Sequence, residues 1–259
     1  MAENGRCNNM AVVEKTVDII GDDGLSDMIL AKAVPEDYPV DLYDDLATSL
    51  REYALYGTTR LQSVKFSSVA AVGNYALASC ESLKSIDMEK CTQVSDNAFY
   101  DCLELASVDM PHLSSASTRS FALSSANGQD KLKILNLPAL RSFGGSMLAY
   151  RKNLESVIAP LATTVGVNSF YGCSSLTQLD LPSVTTVNSE PFKNCTGLQV
   201  INFGKKVTSM NASAFGSMPE GVIINVPWDE DEISGAPWGG TGVIINYGVP
   251  YSGTVPMPI

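Results

Sequence analysis

"LTQLDLPSVTTVNSEPFKNCTG", residues 176–197, is followed at once by Leu198, which opens the same pattern again. Within the stretch, Leu179 and Leu181 alternate with Gln178 and Asp180. A period of two puts the leucines on one face of a short strand and the polar pair on the other. Pro182 comes next, and a residue with no N–H to donate suits a strand end. A second apolar pair, Val184 and Val187, leads into the phrase that carries Phe192 and, three positions on, Cys195. One such strand cannot bury its apolar face alone, so the unit requires neighbours of its own kind to share a core.

Those neighbours are in the chain. Aligned on the leucine, the pattern recurs at Leu61, Leu83, Leu105, Leu132, Leu154, Leu176 and Leu198, in steps of 22, 22, 27, 22, 22 and 22 residues. Each leucine is followed three and five positions later by an apolar pair, from Val64 and Phe66 to Ile201 and Phe203. A large apolar residue stands six positions before the next leucine: Leu55, Leu77, Phe99, Leu148, Phe170 and Phe192. Prolines close the strand in four copies, at Pro111, Pro138, Pro160 and Pro182. A fixed period with L-x-x-L-x-L at the strand falls in the leucine-rich repeat range of roughly 20 to 29 residues.

More narrowly, the leucine, proline, valine, phenylalanine and cysteine positions resemble the BspA-like leucine-rich repeats of bacterial surface and phage proteins, over about residues 53–218. The resemblance implies an α/β leucine-rich repeat solenoid of ~22-residue repeats with a cap at each end. A second resemblance lies in "VPWDEDEISGAPWGGTGVIINYG", 226–248, which looks like the closing segment of repeat proteins found near phage and prophage tail genes of gut Firmicutes. That stretch also reads internally, because "GVIIN" occurs at 221–225 and again at 242–246. Two degenerate turns thus extend the coil and close its open end.

Charge divides the chain further. Residues 1–56 hold twelve acids against four bases, a net of −8 out of −11 for the whole protein, which leaves −3 for the rest. We therefore expect an acidic segment at 1–40 that serves as an attachment region, an N-terminal capping helix at 41–60, repeats at 61–218, and degenerate repeats with a C-terminal cap at 219–259. The helix is expected because Leu46, Leu50 and Tyr53 fall at helical intervals, with acids early and Arg51 late. The 27-residue step inserts five residues near "SSANGQDK", 124–131, whose Gly, Asn and Asp signal an exposed loop.

Nothing in the pattern calls for catalysis, a metal or another cofactor. Cys80, Cys102, Cys173 and Cys195 share one slot of the repeat, and the same alignment places Thr58 and Ser124 there in other copies. A slot shared by thiol and hydroxyl reads as small, partly polar packing, with an inter-turn disulfide as the alternative. A zinc site or a nucleophilic triad would lean on histidine, and the chain has only His112, beside Pro111 at a strand end. The acidic balance argues against nucleic acid, which needs basic clusters. No run approaches the roughly 18 apolar residues of a membrane span, and the start lacks the basic and apolar regions of a signal peptide. The expectation is a chain made in the cytoplasm without membrane insertion, and virion-associated or extracellular after release.

Function is expected on the outward strand positions, since the inward ones are committed to the core. They read Lys65, Asp87, Asp109, Asn136, Ile158, Asp180 and Asn202 along the array, a ladder with no aromatic residue. The family resemblance implies ligands on this face. Two readings follow: a non-enzymatic recognition protein that binds a protein or carbohydrate on a cell surface, in a phage the host's, or a rigid spacer within a particle, in contact with tail proteins.

Overall fold

The computed structural model describes residues 11–14, 40–45, 47–125 and 130–253. These residues form a parallel β-solenoid. Each turn contributes one strand of three to five residues and, after a bend, a second of two, and every strand pairs parallel to its counterpart one turn away. Register follows the sequence period: Leu179 lies beside Ile201 and Ile86 beside Val108, each 22 residues on. Across the insertion the step widens to 27, with Ala116 beside Phe143. The two-residue strands make one continuous sheet of eight, from Ser49–Leu50 to Ser209–Met210.

The α/β label does not describe the third side of the coil. Among the described residues there is no α-helix, and Glu230–Glu232 form a single 3-10 turn. The segments that return the chain to the next strand are too bent for a helix, because they carry left-handed residues four apart, as at Tyr75 (φ 54) and Ser79 (φ 58), or Asn97 (φ 56) and Asp101 (φ 58). Alternate N–H groups also point to the next turn, and those between them close tight turns three residues back. Tyr75 donates to the Asp96 carbonyl oxygen, Leu77 to that of Ala98 and Ser79 to that of Tyr100, at 3.1, 2.8 and 2.7 Å.

The capping helix at 41–60 is likewise replaced by a turn of the coil. Val40–Tyr43 pairs with Leu61–Lys65, and Ser49–Leu50 pairs with Ala71–Val72. Tyr53 has φ 57, which an α-helix does not accommodate. The spacing that resembled a helix face is the repeat's own: Leu50 takes the inward place that Val72 takes one turn later. Ala11–Glu14 adds a further parallel strand beside Val40–Tyr43. The remainder of the expected attachment segment, Leu46 and the loop tip 126–129 lie outside the described residues.

A column of aromatic rings runs up the core. Phe99 and Phe121 stack at 5.1 Å, and Phe143, Phe170, Phe192 and Phe215 continue at 4.9, 5.9 and 6.3 Å between successive centroids. Trp238 and Trp228 close the column edge-on, at 5.8 Å from Phe215 and 5.7 Å from Phe203, and both are buried. Adjacent turns approach closely at Gly144, where an added Cβ would stand 2.5 Å from the Ala116 carbonyl oxygen. No side chain larger than hydrogen fits there without moving backbone.

The insertion is held by a buried ion pair that the repeat pattern does not anticipate. Arg151 and Asp130, both without solvent exposure, meet at 3.0 Å. Arg151 Nε donates to the Phe121 carbonyl oxygen at 2.7 Å and Nη1 to that of Cys102 at 3.2 Å. Asp130 accepts from the Asn153 and Leu132 backbone N–H groups at 3.1 and 3.2 Å. Two charges withdrawn from water need partners of this kind to be tolerated, and here only Arg151 Nη2 is buried without an acceptor.

Candidate binding faces

The outward ladder exists, and it is longer and less uniform than the sequence suggests. It extends at least one turn earlier, to Tyr43, which lies beside Lys65 and is 40 % exposed. The ladder therefore does carry an aromatic residue. Lys65 pairs with Asp87 at 2.9 Å, and that hydrogen-bonded carboxylate raises the lysine's pKa above its ordinary value. Asp109 and Asn136 are exposed and Ile158 is half-buried, while Ile134, on the neighbouring outward row, is 59 % exposed.

Beyond Ile158 the ladder changes character. Asp180 and Asn202 are 6 % and 5 % exposed. They belong to a column of side-chain hydrogen bonds one turn apart: Asn246 donates to Asn225 at 2.9 Å, Asn225 to Asn202 at 2.8 Å, and Asn202 to Asp180 at 2.7 Å. Gln178 Nε2 donates to both carboxylate oxygens of Asp180, at 3.0 and 3.1 Å. The end of the described chain crosses this spot. A Cβ on Gly253 would stand 2.5 Å from the Tyr251 hydroxyl and 2.6 Å from the Asp180 carboxylate. Of the seven predicted site residues, five thus reach the surface and two are buried, Asp180 under the end of the described chain and Asn202 within the hydrogen-bonded column.

Sequence reasoning missed a second surface, on the turn side of the coil. Two clefts of about 290 Å³ each lie there and share Tyr150 and Tyr171, whose rings meet edge-on at 5.0 Å. One cleft is walled also by Tyr100, Arg119, Ser124, Ser146 and Asn168, the other by Lys152, Asn194 and Thr196. Asn194 Nδ2 donates to the Tyr171 hydroxyl at 3.1 Å. The Tyr171 hydroxyl in turn raises the pKa of Tyr150, and burial raises that of Tyr100. The signal in the sequence is the insertion itself: Ser124, aligned by the repeat with the cysteine slot, is exposed because the chain leaves the coil there. Its backbone N–H is taken by Asp101 at 2.5 Å.

With coil and faces in place, the repeat can be compared with known ones. The description "BspA type Leucine rich repeat region" matches residues 40–127 and 124–234, in six copies. The chain belongs to this family. No curated protein matches it. Among solved structures it is similar to a leucine-rich repeat protein of T. pallidum, with 18% identity over 83% of this chain and 85% of that one and a TM-score of 0.48. A leucine-rich cell surface protein of Faecalibacterium prausnitzii shares 14% identity over 94% of both chains, with a TM-score of 0.28. A leucine-rich repeat protein of Bacteroides ovatus shares 17% over 78% of this chain and 87% of that one, with a TM-score of 0.34.

In this BspA-type coil the repeat-slot thiols are buried and form no disulfide. Each donates to a carbonyl oxygen 25 residues back: Cys80 to Leu55 and Cys195 to Phe170, at 3.1 and 3.0 Å, and Cys102 to Leu77 and Cys173 to Leu148, both at 3.2 Å. Burial pushes Cys102 and Cys195 up to about 12, and Cys173 well above its ordinary value. Such thiols stay protonated at neutral pH, and the thiolate is the nucleophile and the metal ligand. His112 is exposed. Among the described residues no three His, Cys, Asp or Glu side chains gather as metal ligands, and no helix is long and apolar enough to cross a membrane.

Proposed function

We propose that this BspA-type repeat protein is a non-enzymatic recognition protein that binds a protein or a carbohydrate on a cell surface through the open part of its strand face. The observation that carries the reading is the contrast along one ladder. Tyr43, Lys65, Asp87, Asp109 and Asn136 present their side chains to solvent on successive turns, whereas Asp180 and Asn202 are taken up by internal hydrogen bonds and Asp180 also lies under the end of the described chain. Strands stacked at about 4.8 Å hold those side chains at fixed spacing, so the surface is organised before any ligand arrives. Tyr43 beside Lys65 supplies an amphipathic ring of the kind that anchors interfaces.

Carried on a phage particle, as the resemblance of the closing segment implies, the recognised surface is the bacterial host's and residues 1–40 attach the protein to the tail. The test is binding to candidate host cells by the wild type and by a variant with Asp87, Asp109 and Asn136 all changed to alanine. The proposal expects binding to fall about tenfold or more, ~1.4 kcal/mol. Binding unchanged by the triple substitution overturns it and leaves the coil as a rigid spacer.

A further inference from the structure

Along a chain with 28 acidic residues, the paired clefts on the turn side stand out by their charge. No Asp or Glu lines either one, and each holds a cation, Arg119 in the first and Lys152 in the second. Among the described residues neither cation takes part in an ion pair. Arg119 is exposed, and its left-handed backbone (φ 53) places it on the same tight turn that Asn168 (φ 52) occupies two turns later. Asn168 lines the first cleft, and its side-chain oxygen is buried with no protein donor.

We propose that these clefts bind an acidic oligosaccharide, two adjoining sugar units that carry carboxylates, at a site separate from the strand face. Each cleft, at about 290 Å³, falls just short of the ~300 to 1,000 Å³ range of small-molecule pockets, which suits one ring per cleft. Tyr150 and Tyr171 form the ridge between them, and a tyrosine ring offers an apolar face to the C–H side of a pyranose while its hydroxyl stays wet. Ser124, Ser146, Asn168, Asn194 and Thr196 supply donors and acceptors for sugar hydroxyls around the rim. Arg119 and Lys152 then stand one to each ring, the guanidinium suited to a planar carboxylate. An acidic peptide fits less well: the apolar side chains of the first cleft, Ala122, Leu123 and Ala149, are buried in the coil and leave no deep pocket for an anchoring side chain.

Isothermal titration of the full chain tests this with four probes: trigalacturonate, neutral chitotriose, a triglutamate peptide and inorganic phosphate. Saturable binding of trigalacturonate in the millimolar range or tighter, at least about tenfold stronger than each of the other three, is the expected result. Arg119→Gln with Lys152→Gln should abolish that preference, and Tyr150→Ala should weaken binding about tenfold. Tyr150→Phe, which keeps the ring, should retain most of it. The strand-face triple variant should bind trigalacturonate like wild type, so failure of one site is distinguishable from failure of the other. Unaltered melting curves certify that each variant is folded, and Tyr150→Phe remains informative if Tyr150→Ala is not. Equal binding of the triglutamate peptide, of phosphate or of chitotriose overturns the proposal, as does no saturable binding of trigalacturonate.

Discussion

Arg151 donates its Nε proton to the carbonyl oxygen of Phe121, 30 residues back, at 2.7 Å. The thiols of Cys80, Cys102, Cys173 and Cys195 each donate to the carbonyl 25 residues back, and the five inserted residues account for the difference. Arg151 is therefore the occupant of the cysteine slot in its own turn, three positions before Leu154. A guanidinium there reaches one acceptor in common with a thiol and then extends to Cys102 O and Asp130, bridging the space that the insertion opens. Asp130→Ala leaves a buried cation without its counter-charge, a change that typically costs about 3 to 5 kcal/mol. Urea unfolding of this variant should show a loss of that size, whereas Lys133→Ala, which breaks the exposed pair with Glu155, should shift stability by about 1 kcal/mol or less.

The slot thiols should be chemically silent in the folded protein. The ordinary pKa of 9.0 is pushed up to about 12 at Cys102 and Cys195, and to about 11 at Cys91, a buried thiol outside the slot, chiefly by burial. A folded-state pKa above the unfolded one contributes stability that is fully present below pH 9 and is lost as pH rises through the folded values. Thiol titration with a charged disulfide reagent at pH 8 should leave these three unreacted until denaturant is added. Melting temperature should fall as pH rises from about 9 toward 12. Rapid reaction of Cys102 or Cys195 in the native protein would contradict the burial described above.

The aromatic column carries much of the coil's cohesion. Phe170 touches Phe143 on one side and Phe192 on the other, and all three are buried. Phe170→Ala and Phe192→Ala should each cost about 3 to 5 kcal/mol through lost burial and an unfilled cavity. A solenoid turn shares its core only with its neighbours, so amide hydrogen exchange should quicken first in the adjacent turns. Melting curves unchanged by either substitution would be inconsistent with this column.

The repeat was legible because a step of 22 residues is a statement about neighbours: whatever sits at Leu179 must pack on whatever sits at Ile201, and both are apolar. Features that break the period were harder to read. Tyr43 was hidden because the first turn shares its apolar spacing with a helix, and only the left-handed Tyr53 separates the two. Arg151 stood in the cysteine register all along, but a lone arginine in a small, partly polar slot gives no sign of which carbonyls and which carboxylate it will meet. The paired clefts depend on where the insertion parts from the coil, so their tyrosines, scattered at positions 100, 150 and 171, show no common purpose until the chain is wound.

Asp180 shows the same limit, and its substitution discriminates best between the two halves of the strand face. The alternation with Leu179 and Leu181 puts it outward with Asp87 and Asp109, and by sequence the three are equivalent. In the folded chain Asp180 instead accepts the terminal bond of the asparagine column and both bonds from Gln178, under Gly253 and Tyr251. Asp180→Ala removes the acceptor and strands the buried Asn202 amide, a loss of about 1 to 3 kcal/mol for an unsatisfied buried group. Asp109→Ala, on an exposed position, should change stability by about 0.5 kcal/mol or less. Asp87→Ala should do nearly the same, since its pair with Lys65 lies at the surface. Urea unfolding of the three single variants measures the difference directly. A chain ended after Gly248, which uncovers Asp180 but leaves the column's donors in place, should lose less than Asp180→Ala. If all three aspartates prove equally dispensable, the column and its covering tail do not hold this end of the coil, and the whole ladder is solvent-facing.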